Sequence, residues 1–158
     1  MARGFDLKAA VWSGLIAGLV FMMLEMVLVG TVGGGSPWAP PRMVAAIGLG
    51  KDVLPPPATF DPGVMAAAMM IHFVLSAILG IVFALIVSRW ASGTGAALIA
   101  GALFGLVVYL VAFYGFTSVF PWFAMARNWM SVVSHLMFGA VLGWTYHKLA
   151  RSADPARV

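Results

Sequence analysis

Three ionisable side chains lie inside the long apolar stretches of this sequence: Glu25, His72 and His135. An ionisable group in hydrocarbon is costly, so such residues face other helices and mark either a functional site or a specific pairing. One interpretation is a shared site in which the two His face each other and Glu25 is a hydrogen-bond partner, proton carrier or third ligand. The other is structural, with neutral His and protonated Glu bridging helices. Ser76 and Tyr109 are candidate polar partners of Glu25.

Haem b is one cofactor that such a site would suit, because two facing His side chains in a helical bundle can ligate haem iron axially. Arg42 and Arg127 follow apolar stretches and would neutralise the haem propionates. The sequence contains no Cys, which excludes c-type haem attachment, iron–sulfur clusters, thiolate metal sites and disulfides. The candidate cofactor-binding residues are His72, His135, Arg42 and Arg127.

Copper is the second candidate, because thioether and imidazole ligands suit Cu(I). Met22 and Met26 are one helical turn apart, as are Met65 and Met69, and His72 follows three residues after Met69. Methionine stripes at this spacing are also typical of adaptable core packing. The candidate metal ligands are His72, His135, Glu25 and Met69.

Motifs of conventional enzymes are missing from the sequence. It has no Gly-rich phosphate loop with a Lys, no His-Glu-x-x-His helix and no Gly-x-Ser-x-Gly elbow. The net charge of +4 rests on nine dispersed Lys and Arg, without the basic cluster that nucleic-acid binding requires. We therefore expect a protein that is not an enzyme and binds no nucleic acid.

The elements that position these residues are membrane-spanning helices. Hydrophobic residues make up 63% of the 158 residues and charged residues only 9%, so a soluble domain could not bury the apolar surface. A long Gly- and Pro-rich loop, 31–63, follows the first apolar stretch and includes a predicted short helix at 41–49. Four stretches are long enough to cross about 30 Å of hydrocarbon. They run approximately over 9–30, 64–87, 95–114 and 128–146.

Lys and Arg are distributed unequally over the two ends of these spans. Six lie on the side of the termini and of the Ser88 to Thr94 turn, and three lie on the opposite side. The excess predicts cytoplasmic termini in a multi-pass protein of the bacterial inner (plasma) membrane.

Parts of the sequence repeat in the same order. The run at 15–18 recurs at 98–101, and Pro37-Trp38 recurs as Pro121-Trp122 at nearly the same spacing. The run from His72 to Gly80 resembles that from His135 to Gly143 at a shorter spacing, which indicates an insertion in the first loop. We therefore predict one all-α domain, 1–158, made of two tandem helical hairpins, about 9–87 and about 95–147, related by a pseudo-twofold axis along the membrane normal.

The chain resembles the YagU-like family of small bacterial inner-membrane proteins. The resemblance lies in His72-x-x-x-Ser76, the run 100–103, Pro121, and His135 followed by Trp144, and it covers spans two to four. It implies a polytopic membrane protein without an established catalytic activity. We expect a non-enzymatic accessory or structural component of a membrane assembly, in contact with lipid and with other subunits or a second copy. The alternative is a haem- or copper-binding protein in electron transfer or metal handling.

Overall fold

The computed structural model describes residues 5–87 and 93–152, with side chains as far as residue 150. Within those ranges the chain is helical and contains no strand, which confirms the all-α class there. Five α-helices follow one another along the chain. They are α1 (Leu7–Thr31), α2 (Ala39–Leu49), α3 (Pro62–Val87), α4 (Thr94–Leu110) and α5 (Trp129–Ser152).

Three helical stretches are long and apolar enough to cross a membrane: α1, α3 and Thr94–Ser118, which begins with α4. Each has 25 or 26 residues, or about 38 Å at the helical rise. Their starts have local causes. The Asp6 carboxylate accepts a hydrogen bond from the backbone N–H of Ala9 at 2.9 Å, and Asp61 accepts one from Val64 at 2.9 Å. Both satisfy donors of the first helical turn that have no partner within the helix.

The predicted short helix in the long loop is present as α2. Pro40 and Pro41 lie in its first turn, where a missing backbone N–H costs nothing. It ends at Gly50, whose φ of 85° is a conformation that side chains with a Cβ rarely adopt. α2 packs mainly against α3. We call this end of the molecule, formed by α2 and the segment 116–126, the capped end.

The third apolar stretch continues beyond α4 without a break. A π-helical turn, Val111–Gly115, leads into a 3₁₀ turn, Phe116–Ser118, and a second 3₁₀ segment, Pro121–Ala126, precedes α5. The predicted end of this span at Tyr114 therefore falls within the π-helical turn.

The four long helices are arranged in the order α3, α1, α5, α4. α1 packs against both α3 and α5, and α5 packs against α4, whereas α3 and α4 make few contacts with each other. The main apolar core lies towards the end opposite α2, between α1, α3 and α5. Its largest members are Phe83, Phe138, Leu142 and Tyr146.

Glycine lets the helix backbones approach closely in two places. A Cβ at Gly14 or Gly80 of the α1–α3 pair would collide with the backbone of the other helix. The same holds in the α4–α5 pair for Gly101, Gly105, Gly139 and Gly143. Small residues at such contacts allow the close packing on which helices in lipid depend.

Several of the residues from which the membrane orientation is predicted lie outside the described ranges. These include Arg3, Arg89 and Arg157 and most of the Ser88 to Thr94 turn.

Candidate functional site

Glu25 connects α1 with α5 through a buried hydrogen bond. Its side chain is 7% exposed, and its Oε1 accepts a hydrogen bond from the Ser131 hydroxyl at 2.8 Å. The other carboxyl oxygen, Oε2, is buried and has no hydrogen-bond partner among the residues that the structure describes. Buried polar atoms are nearly always paired, so an unpaired carboxyl oxygen marks a place where a further group can bind.

His72 connects α3 with α1. Its ring is almost fully buried, and Nε2 lies 2.8 Å from the backbone carbonyl oxygen of Gly18. Since a carbonyl only accepts, the imidazole donates from Nε2. A neutral imidazole that donates from Nε2 has a free lone pair on Nδ1. His72 therefore offers a hydrogen-bond acceptor at Nδ1.

His135 has the opposite tautomer in α5. Its Nδ1 donates to the backbone carbonyl of Ser131 at 2.7 Å, so the neutral ring offers its acceptor at Nε2. Ser131 thus contacts both ionisable groups, through its carbonyl to His135 and through its hydroxyl to Glu25. Because these partners lie on α5 and α1, the two groups are held in one layer.

Phe21 brings the two imidazoles into the same neighbourhood. Its ring centroid is 5.7 Å from that of His72, in a stacked arrangement, and 4.7 Å from that of His135, edge to face. The two imidazoles are therefore separated by no more than one aromatic ring. Tyr109 also contacts His135, with a ring separation of 5.6 Å. We call Glu25, His72, His135, Ser131 and Phe21 the polar layer.

A cavity of about 730 Å³ adjoins the polar layer. Most of its lining is apolar and comes from all four long helices and from α2. The polar residues in the lining are Glu25, His72, Ser76, Asn128, Ser131 and His135. Ligand sites in proteins have this character, with apolar walls and a few convergent polar groups.

Residues of the capped end cover the cavity from one side. Met43 and Ile47 of α2 and Phe120 and Phe123 of the later segment belong to its lining. The indole N–H of Trp122 donates to the Met43 carbonyl at 3.3 Å, which ties the two parts of the cap together.

The two arginines expected at haem propionates have other partners. Arg42 donates to the backbone carbonyls of Val53 at 2.7 Å and Thr59 at 3.0 Å, which holds the loop after α2. Neither Arg42 nor Arg127 belongs to the cavity lining.

Arg127 supports the π-helical turn. Its Nε donates to the Phe113 carbonyl at 2.7 Å, and its guanidinium lies 4.5 Å from the centre of the Tyr114 ring. A second bond, at 3.1 Å, joins it to the Thr117 hydroxyl. Since a π-helical turn departs from the regular hydrogen-bond ladder, a side-chain donor at a carbonyl there stabilises it.

The candidate ligands therefore come together only in part. Glu25, His72, Ser76 and His135 all line the cavity, whereas Met69 does not. Among the described residues, no three His, Cys, Asp or Glu side chains group closely enough to hold one metal ion.

Ser131 and Phe21 belong to the site, although the sequence pattern did not predict either of them. Ser131 precedes His135 by four residues, and Phe21 precedes Glu25 by four, so each shares a helix face with an ionisable residue that was singled out. That spacing is the signal from which both could have been found.

Comparisons with protein-family models, with curated proteins and with solved structures find no match for this chain.

Proposed function

We propose that the chain is a four-span membrane protein in which α5 is the fourth span. With 24 residues, α5 is about 36 Å long, which exceeds the roughly 30 Å of a hydrocarbon core. It is less apolar than the other spans because polar residues interrupt it. These are Ser131, Ser134, His135, Thr145 and His147, and all are buried. Polar side chains that point into the bundle avoid lipid, so α5 suits the central position between α1 and α4.

We further propose that both termini lie in the cytoplasm of a bacterial cell and that the capped end faces the outside. Four crossings return the chain to the side from which it began, and the excess of Lys and Arg favours that side as cytoplasmic. Kinship with the YagU-like family belongs to the same proposal, as does the inner membrane as its location.

The proposal of two repeated hairpins is supported by the contacts within each hairpin, although α1 packs against α5 while α4 makes few contacts with α3, so the contacts between the hairpins do not follow a twofold axis. A Cβ at Gly80 would meet Ala10 and Gly14, and one at Gly143 would meet Ala97 and Gly101. Gly14 of α1 in the first hairpin is therefore equivalent to Gly101 of α4 in the second. The sequence match instead pairs Gly101 with Gly18, which lies one helical turn further along α1. The helix contacts of the two hairpins therefore correspond only when the sequence match between α1 and α4 is shifted by one helical turn.

The arrangement favours a binding role over a catalytic one, as a non-enzymatic accessory component of a membrane assembly. The observation that carries this proposal is the cavity beside the polar layer. A bundle packed only for stability fills its interior to crystal-like density. Here about 730 Å³ remains next to an unpaired carboxyl oxygen, which suits a partner molecule held within the bundle. The predicted haem b or copper site stays a prediction.

The absence of Cys makes the four-span topology directly testable. Single Cys residues at Lys51 and Met125, at the capped end, should react with a membrane-impermeant maleimide in intact spheroplasts. Cys at Phe5, Gly93 or Leu149, at the opposite end, should react only after permeabilisation. Lys51, Met125, Phe5 and Leu149 are exposed, and no described residue lies within 4 Å of a Cβ at Gly93. Labelling of Met125→Cys and Leu149→Cys from the same side would show that α5 does not cross the membrane.

A further inference from the structure

We propose that the cavity binds an amphipathic, lipid-soluble molecule that enters from the hydrocarbon between α3 and α4. Its head group carries a hydroxyl or amine and donates hydrogen bonds to the polar layer. This inference rests on the proposed placement of the four long helices in a membrane, and it names the class of molecule that the cavity takes.

The side between α3 and α4 is the open side of the cavity. These two helices make few contacts, because α1 and α5 lie between them in the row. Leu75 and Ile78 of α3 and Val107 and Val111, at the end of α4, belong to the cavity lining, yet each is between 43% and 54% exposed. Side chains that line a cavity and are also half exposed form the rim of an opening.

The rim lies at the depth of lipid hydrocarbon. Ile78 is somewhat past the middle of α3, and Val107 is close to the middle of the stretch Thr94–Ser118. The helical rise places them about 24 Å and about 20 Å along helices about 38 Å long. An opening near the middle of a span faces acyl chains, so the molecule that passes it is soluble in lipid.

Access from water is obstructed at the capped end. Side chains of α2 and of the segment 116–126 both line the cavity at this end, and the bond between Trp122 and Met43 joins the two. The molecule would therefore arrive by lateral diffusion in the bilayer.

Three acceptors determine the chemistry of the head group. His72 presents Nδ1 and His135 presents Nε2, because the other nitrogen of each ring already donates to a backbone carbonyl. Glu25 adds Oε2, which has no hydrogen-bond partner among the described residues and can accept whether or not the carboxyl carries a proton there, since a protonated oxygen keeps lone pairs. Acceptors of this kind are satisfied by the donors of a hydroxyl or amine.

An anionic head group fits poorly. Phosphate and carboxylate groups require cationic or donor-rich surroundings. Arg42 is bonded to carbonyls of the loop after α2 and Arg127 to a carbonyl of the π-helical turn, and neither lines the cavity. The cavity volume of about 730 Å³ lies within the range of about 300 to 1,000 Å³ that is typical of small-molecule sites. It therefore has room for a neutral or cationic head group and part of its chain.

The test uses three photoactivatable probes that share one long alkyl chain and differ in the head group: an alcohol, an amine and a carboxylate. Each is incorporated into vesicles that contain the full-length protein, and the crosslinked peptides are identified by mass spectrometry. We expect the alcohol and amine to label residues of the cavity lining, and the carboxylate to label them at least about tenfold less, the effect of losing one good hydrogen bond. Excess alcohol without the photoreactive group should compete with the labelling.

Two matched variants test the opening. Val107→Trp enlarges a rim residue, whereas Leu103→Trp makes the same change one turn away at a position that is also more than half exposed and lies outside the lining. Val107→Trp should reduce labelling of the cavity at least about tenfold, and Leu103→Trp should leave it unchanged. Competition on the unmodified protein needs no variant and tests the site even if Val107→Trp does not fold.

Several outcomes would overturn the inference. They are equal labelling by all three probes, labelling confined to the lipid-facing side of α1, or crosslinks from the rim to a second copy that exclude the probes. Glu25→Gln is a further test, because it replaces Oε2 with an amide nitrogen that only donates. An alcohol oxygen can accept from that amide and an ammonium group cannot, so labelling by the amine probe should weaken more than labelling by the alcohol. The Cys labelling described above, repeated on the same preparations, separates the two proposals. Correct topology without probe labelling overturns only this inference, and a wrong topology overturns the proposed function.

Discussion

Gly139→Ala should destabilise the protein through the contact between α4 and α5. A Cβ at Gly139 would lie 2.7 Å from the carbonyl carbon of Gly101 and 2.7 Å from the amide nitrogen of Gly105, and it would collide with the Gly101 carbonyl oxygen. Ordinary contacts of carbon begin at about 3.5 Å, so the helices must separate by about 1 Å. All three atoms belong to the backbone, and no side-chain rotation can relieve the clash.

The expected magnitude follows from two opposing effects. Overpacking costs between about 1 and 3 kcal/mol, and a clash with backbone lies at the upper end of that range. Replacing Gly by Ala within a helix returns about 1 kcal/mol through helix propensity. The net loss is therefore about 2 kcal/mol, which raises the ratio of unfolded to folded protein about thirtyfold.

Unfolding in mixed micelles of a mild detergent and dodecyl sulfate, followed by circular dichroism, measures this loss. Gly95→Ala is the matched control, because no atom of the described residues lies within 4 Å of a Cβ at that position of the same helix pair. The control should be neutral or slightly stabilising. If Gly139→Ala unfolds at the same detergent fraction as Gly95→Ala, the close approach of α4 and α5 is not as described.

Three further predictions use the same assay. Glu25→Gln keeps a carbonyl oxygen for the Ser131 hydroxyl and should change the free energy of unfolding by less than about 0.5 kcal/mol. Glu25→Ala should cost about 1 to 3 kcal/mol, because it leaves that buried hydroxyl unpaired. Equal, large losses for both variants would show that the charge itself matters. Ser131→Ala should cost about as much as Glu25→Ala, and the double variant should cost less than the sum of the two, since both remove one bond. Arg127→Gln should cost about 1 to 2 kcal/mol of unfolding free energy, because the bonds to Phe113 and Thr117 are lost. Arg127→Lys should restore little of that loss, because an ammonium group lacks the fork that reaches both partners. Full recovery in Arg127→Lys would contradict this role.

The helices themselves could be predicted from the sequence because their causes are local. Long runs of apolar residues without Pro require internally bonded backbone, and the prolines of the first loop exclude a long helix there. The first three predicted spans match α1, α3 and the stretch Thr94–Ser118 to within a few residues. The burial of Glu25, His72 and His135 could likewise be expected, since none of them is tolerated next to lipid.

The partners of these residues were not readable from the sequence. The sequence match pairs His72 with His135, but it does not reveal that each donates to a backbone carbonyl and so presents only one free nitrogen. Ser131 escaped notice because a Ser in an apolar helix has no distinctive signal until a partner on another helix is known. The positions of Arg42 and Arg127 in the chain suggest a role at a cofactor, whereas their bonds go to carbonyls of the nearby loop and π-helical turn and to the Thr117 hydroxyl.

The sequence by itself determined which segments are helical and which side chains must avoid lipid, because both follow from the cost of unpaired polar groups in hydrocarbon. The tertiary structure alone decided that α1 and α5 separate α3 from α4 and leave a cavity beside Glu25. The tertiary structure also decided which Gly residues meet in the α1–α3 and α4–α5 pairs. The equivalent positions of α1 and α4 in these contacts differ by one helical turn from those that the sequence match pairs. Apolar side chains are nearly interchangeable in lipid, so helix order and register depend on backbone fit between distant segments, and no local pattern encodes that fit.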